Sequence, residues 1–203
     1  GRPADNPLIV HIAKLEELES VAVSVPELAL KLAEKFWPGP LTMILPKHPS
    51  IPVITSGGLD TVGVRMPSHP VARKLIELSG VPIAAPSANI SGYPSPTTAQ
   101  HVMRDMHGKI AAVVDGGDCR VGVESTVIAL EGEDSVRILR PGYVTKEMLE
   151  TVVPHVTLDK AILHQLQEGQ TVRSPGMKYQ HYSPHAHVTI IEGRWPEFAA
   201  WVQ

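Results

Sequence analysis

Short apolar runs of strand length alternate with amphipathic stretches of helical period along the first 153 residues. That alternation restricts the possible folds more than any other feature of the chain. "NPLIVHIA" (6–13) reads as a buried strand after a proline, and "AKLEELES" (13–20) as a short helix. Ser24, Pro26 and Glu27 form a capping-box start for the helix "PELALKLAEKFW", which "PGP" at 38–40 stops. "LTMILPK" (41–47) and "TVGVRMP" (61–67) read as strands around a turn at "SGG". The helix "HPVARKLIELSG" (69–80) opens on a proline and closes on Gly80. "VPIAAPSA" (81–88) is a strand entering a polar loop, and Thr97 and Gln100 are expected to cap the helix that follows. Strands are then expected at 110–117, 124–130 and 135–142, with a helix over 145–153. Interleaving of this kind specifies an α/β or α+β class with a mixed sheet.

The core of such a sheet must be aliphatic, because 43% of residues are hydrophobic but only 4% are aromatic. No run of eighteen apolar residues exists, so no membrane span is expected. Cys119 is the only cysteine; it excludes an intrachain disulfide and fits a reducing, cytoplasmic setting. A net charge of −3 argues against a general nucleic-acid binder and leaves room for a local basic pocket. The chain opens at "GRPADNP", inside a motif and without a methionine, and ends at "EFAAWVQ", inside a helix, so it reads as a fragment at both ends.

Polar residues gather where strands end. Arg2 and Asn6 precede the first strand, and His11 lies within it. Thr61 and Arg65 share one face of another strand, by the period of two. Ser87, Asn89, Ser91 and Ser95 follow a strand, Ser125 and Thr126 open one, and Arg140 closes one. Polar groups at strand ends converge on a crevice in sheet proteins. Arginines among hydroxyls suit a phosphate or carboxylate. Taken singly, the same residues also fit surface ion pairs, a satisfied core histidine and ordinary turn chemistry. Neither a P-loop nor a GxGxxG fingerprint is present. His181, His185 and His187 lack the company and spacing of a zinc site, and no GxSxG supports a serine nucleophile.

"GRPADNPLIVHI", "WPGPLTMIL", "LDTVGVRMPSHP", "PIAAPSANISGYPSPT", "GVESTVI" and "ILRPG" occur in an order that closely resembles the YrdC-type threonylcarbamoyl-AMP synthases. "SPGMKYQHYSP" (174–184) is similar to the linker of the family's long form, in which a SUA-type domain follows. The resemblance implies a twisted mixed α/β sheet with an open, positively charged cavity over 1–154, a linker over 155–185, and the start of a second α/β domain over 186–203. It implies synthesis of threonylcarbamoyl-AMP and pyrophosphate from L-threonine, bicarbonate or carbon dioxide, and ATP. Magnesium is expected on the phosphates, and a tRNA threonylcarbamoyl transferase downstream.

By the same resemblance, Arg2, Asn6, Thr61, Ser87, Asn89, Ser95, Arg140 and Tyr179 contact the nucleotide. His11, Arg65, Ala85 and Ser125 contact threonine. No catalytic residue and no protein metal ligand is implied. The lysine of the family's K-x-R motif would stand immediately before Gly1, so this fragment alone is expected to be inactive. Tyr179 is expected to sit on a lid over the nucleotide. Two alternatives are a double-stranded RNA-binding module, which the acidic balance disfavours, and the related carbamoyltransferase domain of hydrogenase maturation, which does not explain the linker.

Overall fold

Seven short strands assemble into one mixed sheet in the computed structural model, which describes residues 2–163 and 193–202. They are β1 (Ile9–His11), β2 (Leu41–Pro46), β3 (Thr61–Arg65), β4 (Ile83–Ala85), β5 (Thr126–Leu130), β6 (Ser135–Arg140) and β7 (His155–Leu158). Their order across the sheet is β4-β1-β3-β2-β5-β6-β7. Parallel pairs (β1 with β3, β2 with β5, β6 with β7) alternate with antiparallel ones (β1 with β4, β2 with β3, β5 with β6). The mixed sheet expected from the alternating pattern, in the twisted α/β form that the resemblance implies, is therefore the fold.

A 3-10 turn (Leu15–Glu17) leads into α1 (Leu18–Val21), followed by α2 (Glu27–Phe36), α3 (Pro70–Ser79), α4 (Ala99–Met106), α5 (Lys146–Glu150), α6 (Lys160–Leu163) and α7 (Trp195–Val202). No helix among the described residues is long and apolar enough to cross a membrane. Leu18 and Val21 of α1, Leu28, Leu32 and Ala33 of α2, and Leu149 of α5 join one aliphatic core with Val10, Met43, Val64, Ile128 and Ile138 of the sheet. Strand alternation does the rest: sending Val10 and Val64 into that core turns His11 and Arg65 to the opposite face.

Four local expectations give way. Pro26 is the N-cap of α2, with extended backbone and no side-chain cap, so Ser24 does not close a capping box. Glu27 becomes the first helical residue and pairs with Lys31 at 2.8 Å one turn on. The cap of α4 is Thr98, whose hydroxyl accepts from His101 N at 3.2 Å; Thr97 stands one residue too early. Residues 110–117 pair with no strand of the sheet and form no strand themselves, and Ile110 and Val114 are 47% and 71% exposed. Strand propensity without a partner strand does not make a strand. Conversely, β7 lies inside the stretch expected to be linker; only Val156 of its four residues is buried, too little apolar pattern to read. The asymmetry of α3 holds, with Pro70 in its first turn and Gly80 at φ 69° as its C-cap. The strand read at 187–193 begins outside the described residues.

Candidate active site

On the face opposite the helical core, the ends of β1, β3, β4 and β6 meet around a cavity of about 270 Å³. In-register pairing sets the first two groups side by side, with His11 of β1 opposite Arg65 of β3. The His11 Nδ1–H donates to the Ile83 carbonyl on β4 at 3.3 Å, which leaves Nε2 as the acceptor nitrogen of a neutral ring. Burial, and then the charge of Arg65, pull the His11 pKa down to about 4. The ring is therefore uncharged at neutral pH.

Arg65 donates from Nε to the Gly39 carbonyl at 3.0 Å and has no carboxylate partner among the described residues. Burial, and then the positive charge of Arg140, both work against its guanidinium charge. Gly39 can serve as that acceptor because it lacks a side chain: a Cβ there would run into the Phe36 carbonyl oxygen. A half-buried guanidinium, flanked by a second one and offering its terminal nitrogens, is a receptor for a carboxylate or phosphate.

Arg140, at the end of β6, is held more tightly. Its Nε and Nη2 donate to the Ser125 carbonyl at 3.1 and 2.9 Å, Nη2 also donates to Ser125 Oγ at 2.9 Å, and Nη1 pairs with Glu124 Oε2 at 2.8 Å. Ser125 Oγ lies 2.9 Å from Thr42 Oγ1 in the buried seam between β2 and the start of β5. The turn after β6 presses on the same backbone. A Cβ at Gly142 would stand 2.5 Å from Thr126 N and 2.8 Å from Ser125 C, so only glycine lets "RPG" close against "EST".

Nine of the twelve residues singled out from the sequence line this cavity: Arg2, Asn6, His11, Arg65, Ala85, Ser87, Ser95, Ser125 and Arg140. Arg2 Nη2 donates to the Asn6 and Pro7 carbonyls at 3.1 and 2.7 Å, folding its side chain along the segment that enters β1. Ala85 ends β4 in register with Ile9, and Ser87 and Ser95 come from the irregular loop beyond it. Thr61 shares the strand face of Arg65 but lies at the far end of β3, outside the lining. Asn89 is outside it too: its amide donates to the Ile90 and Tyr93 carbonyls, both at 2.9 Å, and so braces the loop. Tyr179 lies outside the described residues.

The sequence reading missed Thr97, Cys119, Val123 and Glu124 as site residues, and they line the cavity too. Among the described residues Glu124 is the one acid in that lining, against three arginines. Its signal was its place next to Ser125 in "GVESTVI". Among the described residues no group of three His, Cys, Asp or Glu side chains could hold a metal ion.

Residues 1–142 match the Sua5–YciO–YrdC family model, described as "Telomere recombination". Residues 144–200 match a second model, described as "Threonylcarbamoyl-AMP synthase, C-terminal domain". The chain is 55% identical over 193 residues to the threonylcarbamoyl-AMP synthase of Pyrococcus abyssi, covering 95% of this chain and 56% of that protein. It is 52% identical over 195 residues to the Bacillus subtilis protein of the same name, covering 95% and 55%. The crystal structure of P. abyssi Sua5 complexed with L-threonine superposes with a TM-score of 0.92 at 52% identity, covering all of this chain and 58% of that one. The chain thus spans little more than half the length of these relatives.

Proposed function

The chain belongs to the Sua5–YciO–YrdC family in its long form, and we propose that its cavity joins L-threonine, carbon dioxide or bicarbonate, and ATP into threonylcarbamoyl-AMP and pyrophosphate. The observation that carries this reading is Arg65, a half-buried cation without a carboxylate partner among the described residues, set beside a neutral histidine. The P. abyssi relative is described in complex with L-threonine, which supports an amino-acid carboxylate as the Arg65 partner.

In the proposed reaction the threonine carboxylate pairs with Arg65. His11 Nε2 accepts a hydrogen bond from the ammonium or hydroxyl. A ring with a pKa of about 4 is a weak base, so His11 orients the amino acid and does not hold its proton. The amine nitrogen, once deprotonated to solvent, bonds to the carbon of carbon dioxide and releases a second proton to solvent, yielding a carbamate; bicarbonate must first lose hydroxide. A carbamate oxygen then attacks the α-phosphorus of ATP, and the bond to the bridging oxygen breaks, releasing pyrophosphate. Arg140, Arg2, Asn6, Ser87 and Ser95 are the nucleotide-side contacts, with Thr61, Asn89 and Tyr179 kept in the proposal as contacts made in the ligand-bound protein. Catalysis by such a site is orientation and charge neutralisation, without a protein nucleophile.

The lining does not fit a resident magnesium ion. Magnesium usually takes one or two carboxylates together with substrate phosphates, and the single carboxylate among the described lining residues is committed to Arg140 and Ser95. Any magnesium belongs to the substrate, travelling on the triphosphate. The RNA-binding alternative gains nothing from the site, whose three arginines gather in one cavity and do not spread into a basic stripe. The division into a catalytic unit, a linker carrying the Tyr179 lid, and a C-terminal domain remains part of the proposal, as do a cytoplasmic location and transfer of the product to a tRNA-modifying enzyme. The test is pyrophosphate release by the whole protein: it requires threonine, bicarbonate and ATP together, and release without threonine overturns the reading.

A further inference from the structure

A carboxylate in the wall of an anion-binding cavity needs a reason, because by charge alone it repels the ligand. Glu124 is that carboxylate, and its two oxygens are divided between two walls. Oε2 meets Arg140 Nη1 at 2.8 Å at the end of β6. Oε1 accepts from the Ser95 hydroxyl at 3.0 Å, across 29 residues of sequence, in a loop with no regular structure of its own. The Glu124 and Arg140 side chains are only 15% and 16% exposed, so this ion pair is shielded from solvent screening. Its base is rigid, since Gly142 packs on the Glu124–Thr126 backbone and the Ser125 carbonyl takes two more donors from the same arginine.

We propose that Glu124 is a positioning residue for the nucleotide: it fixes the plane of the Arg140 guanidinium and, by accepting the Ser95 hydroxyl, anchors the loop that carries Ser95, so that the guanidinium and that loop face the phosphates already oriented. Nothing in the family resemblance assigns it a role, and the inference deepens the synthase reading and rests on it. A carboxylate suits the task because both partners are donors. A glutamine could accept from one of them but would present its amide hydrogens to the other. An aspartate keeps the charge and is one methylene shorter, so it cannot span both.

A Glu124 that merely balances charge makes the opposite prediction. Removing a negative charge from an anion site then tightens ATP binding. If Glu124 positions Arg140 and Ser95, removing it loosens ATP binding although the site becomes more positive. The experiment is calorimetric titration of the whole protein with ATP and, separately, with L-threonine, for the wild type, Glu124→Gln, Glu124→Asp and Glu124→Ala. The expected result is a loss of ATP affinity of about tenfold or more in Glu124→Ala, as for a charge-assisted hydrogen-bond pair, with smaller losses in the other two. Threonine affinity should fall less than ATP affinity, because Arg65 and His11 do not touch Glu124 and only Ser125, on the threonine side, shares Arg140 with it. If Glu124→Ala is not folded by circular dichroism, the sign of the change in Glu124→Gln decides. Unchanged or tighter ATP binding overturns the inference alone. A wild-type protein that binds neither ATP nor threonine overturns the synthase reading and this inference with it.

Discussion

Replacing Arg65 by methionine separates what that residue does for the ligand from what it does for the fold. The change keeps the length and apolar stem of the side chain and deletes the charge. Two effects on the free protein oppose each other. The hydrogen bond from Nε to the Gly39 carbonyl is lost, worth roughly 1.5–3 kcal/mol for a charged donor. Against that, a guanidinium disfavoured by burial and by Arg140 is removed, which relieves a penalty of a few kcal/mol. Stability should therefore change by only about 1 kcal/mol in either direction. Ligand binding has no such offset: a carboxylate left facing the cavity without its cation costs about 3–5 kcal/mol, or roughly 10²- to 10³-fold and more in affinity. The assay is a pair of titrations, threonine and ATP, on Arg65→Met in the whole protein, with a urea melt beside them. Threonine affinity falls at least a hundredfold, ATP affinity less than about fivefold, and the urea midpoint hardly moves. Equal losses for the two ligands, or a large loss of stability with intact threonine binding, would refute Arg65 as the carboxylate receptor.

Other perturbations probe the neighbouring parts. Gly142→Ala forces a Cβ to 2.5 Å from Thr126 N; thermal melts should show a loss of about 2 kcal/mol or more, together with weaker ATP binding as Arg140 loses its seat. His11 has a folded pKa near 4 against an unfolded value near 6.5. In that window the unfolded chain binds more protons, so stability drops as pH falls from 6.5 towards 4, by roughly 3 kcal/mol in all. Urea unfolding across that range should show this slope for the wild type and a flatter one for His11→Gln. Tyr179→Ala should weaken ATP binding and shorten the lifetime of the anhydride product if the segment is a lid; normal values for both would make it a spacer.

Much of the site was legible because strand geometry is simple. A period of two put Thr61 and Arg65 on one face, and the placing of Arg140 and Ser125 at strand ends was enough to bring them together. What could not be read were relations set by tertiary contact. Glu124 stood at the start of an expected strand with no role attached, and only the tertiary fold closes Arg140 and Ser95 on its two oxygens. Asn89 carries the right chemistry for a ligand contact but directs its amide to the Ile90 and Tyr93 carbonyls, because the irregular loop has its own unpaired backbone to satisfy. The apolar run at 110–117 looked like a strand and β7 did not. Pairing decides strands, and the outer edge beside β6 takes residues 155–158. The cap of α4 slipped by one residue since two adjacent threonines offer the same hydroxyl, and only the path of the chain selects Thr98.

Incubation of the whole protein with L-threonine, ATP and carbon-13 bicarbonate, followed by mass spectrometry of the nucleotide products, tests the central claim most directly. The account predicts a threonine- and bicarbonate-dependent adenylate that carries one carbon-13 and the mass of threonylcarbamoyl-AMP, formed in step with pyrophosphate. An adenylate that forms without bicarbonate, or that carries threonine but no label, would contradict it, because the cavity would then be activating the amino acid itself and not its carbamate.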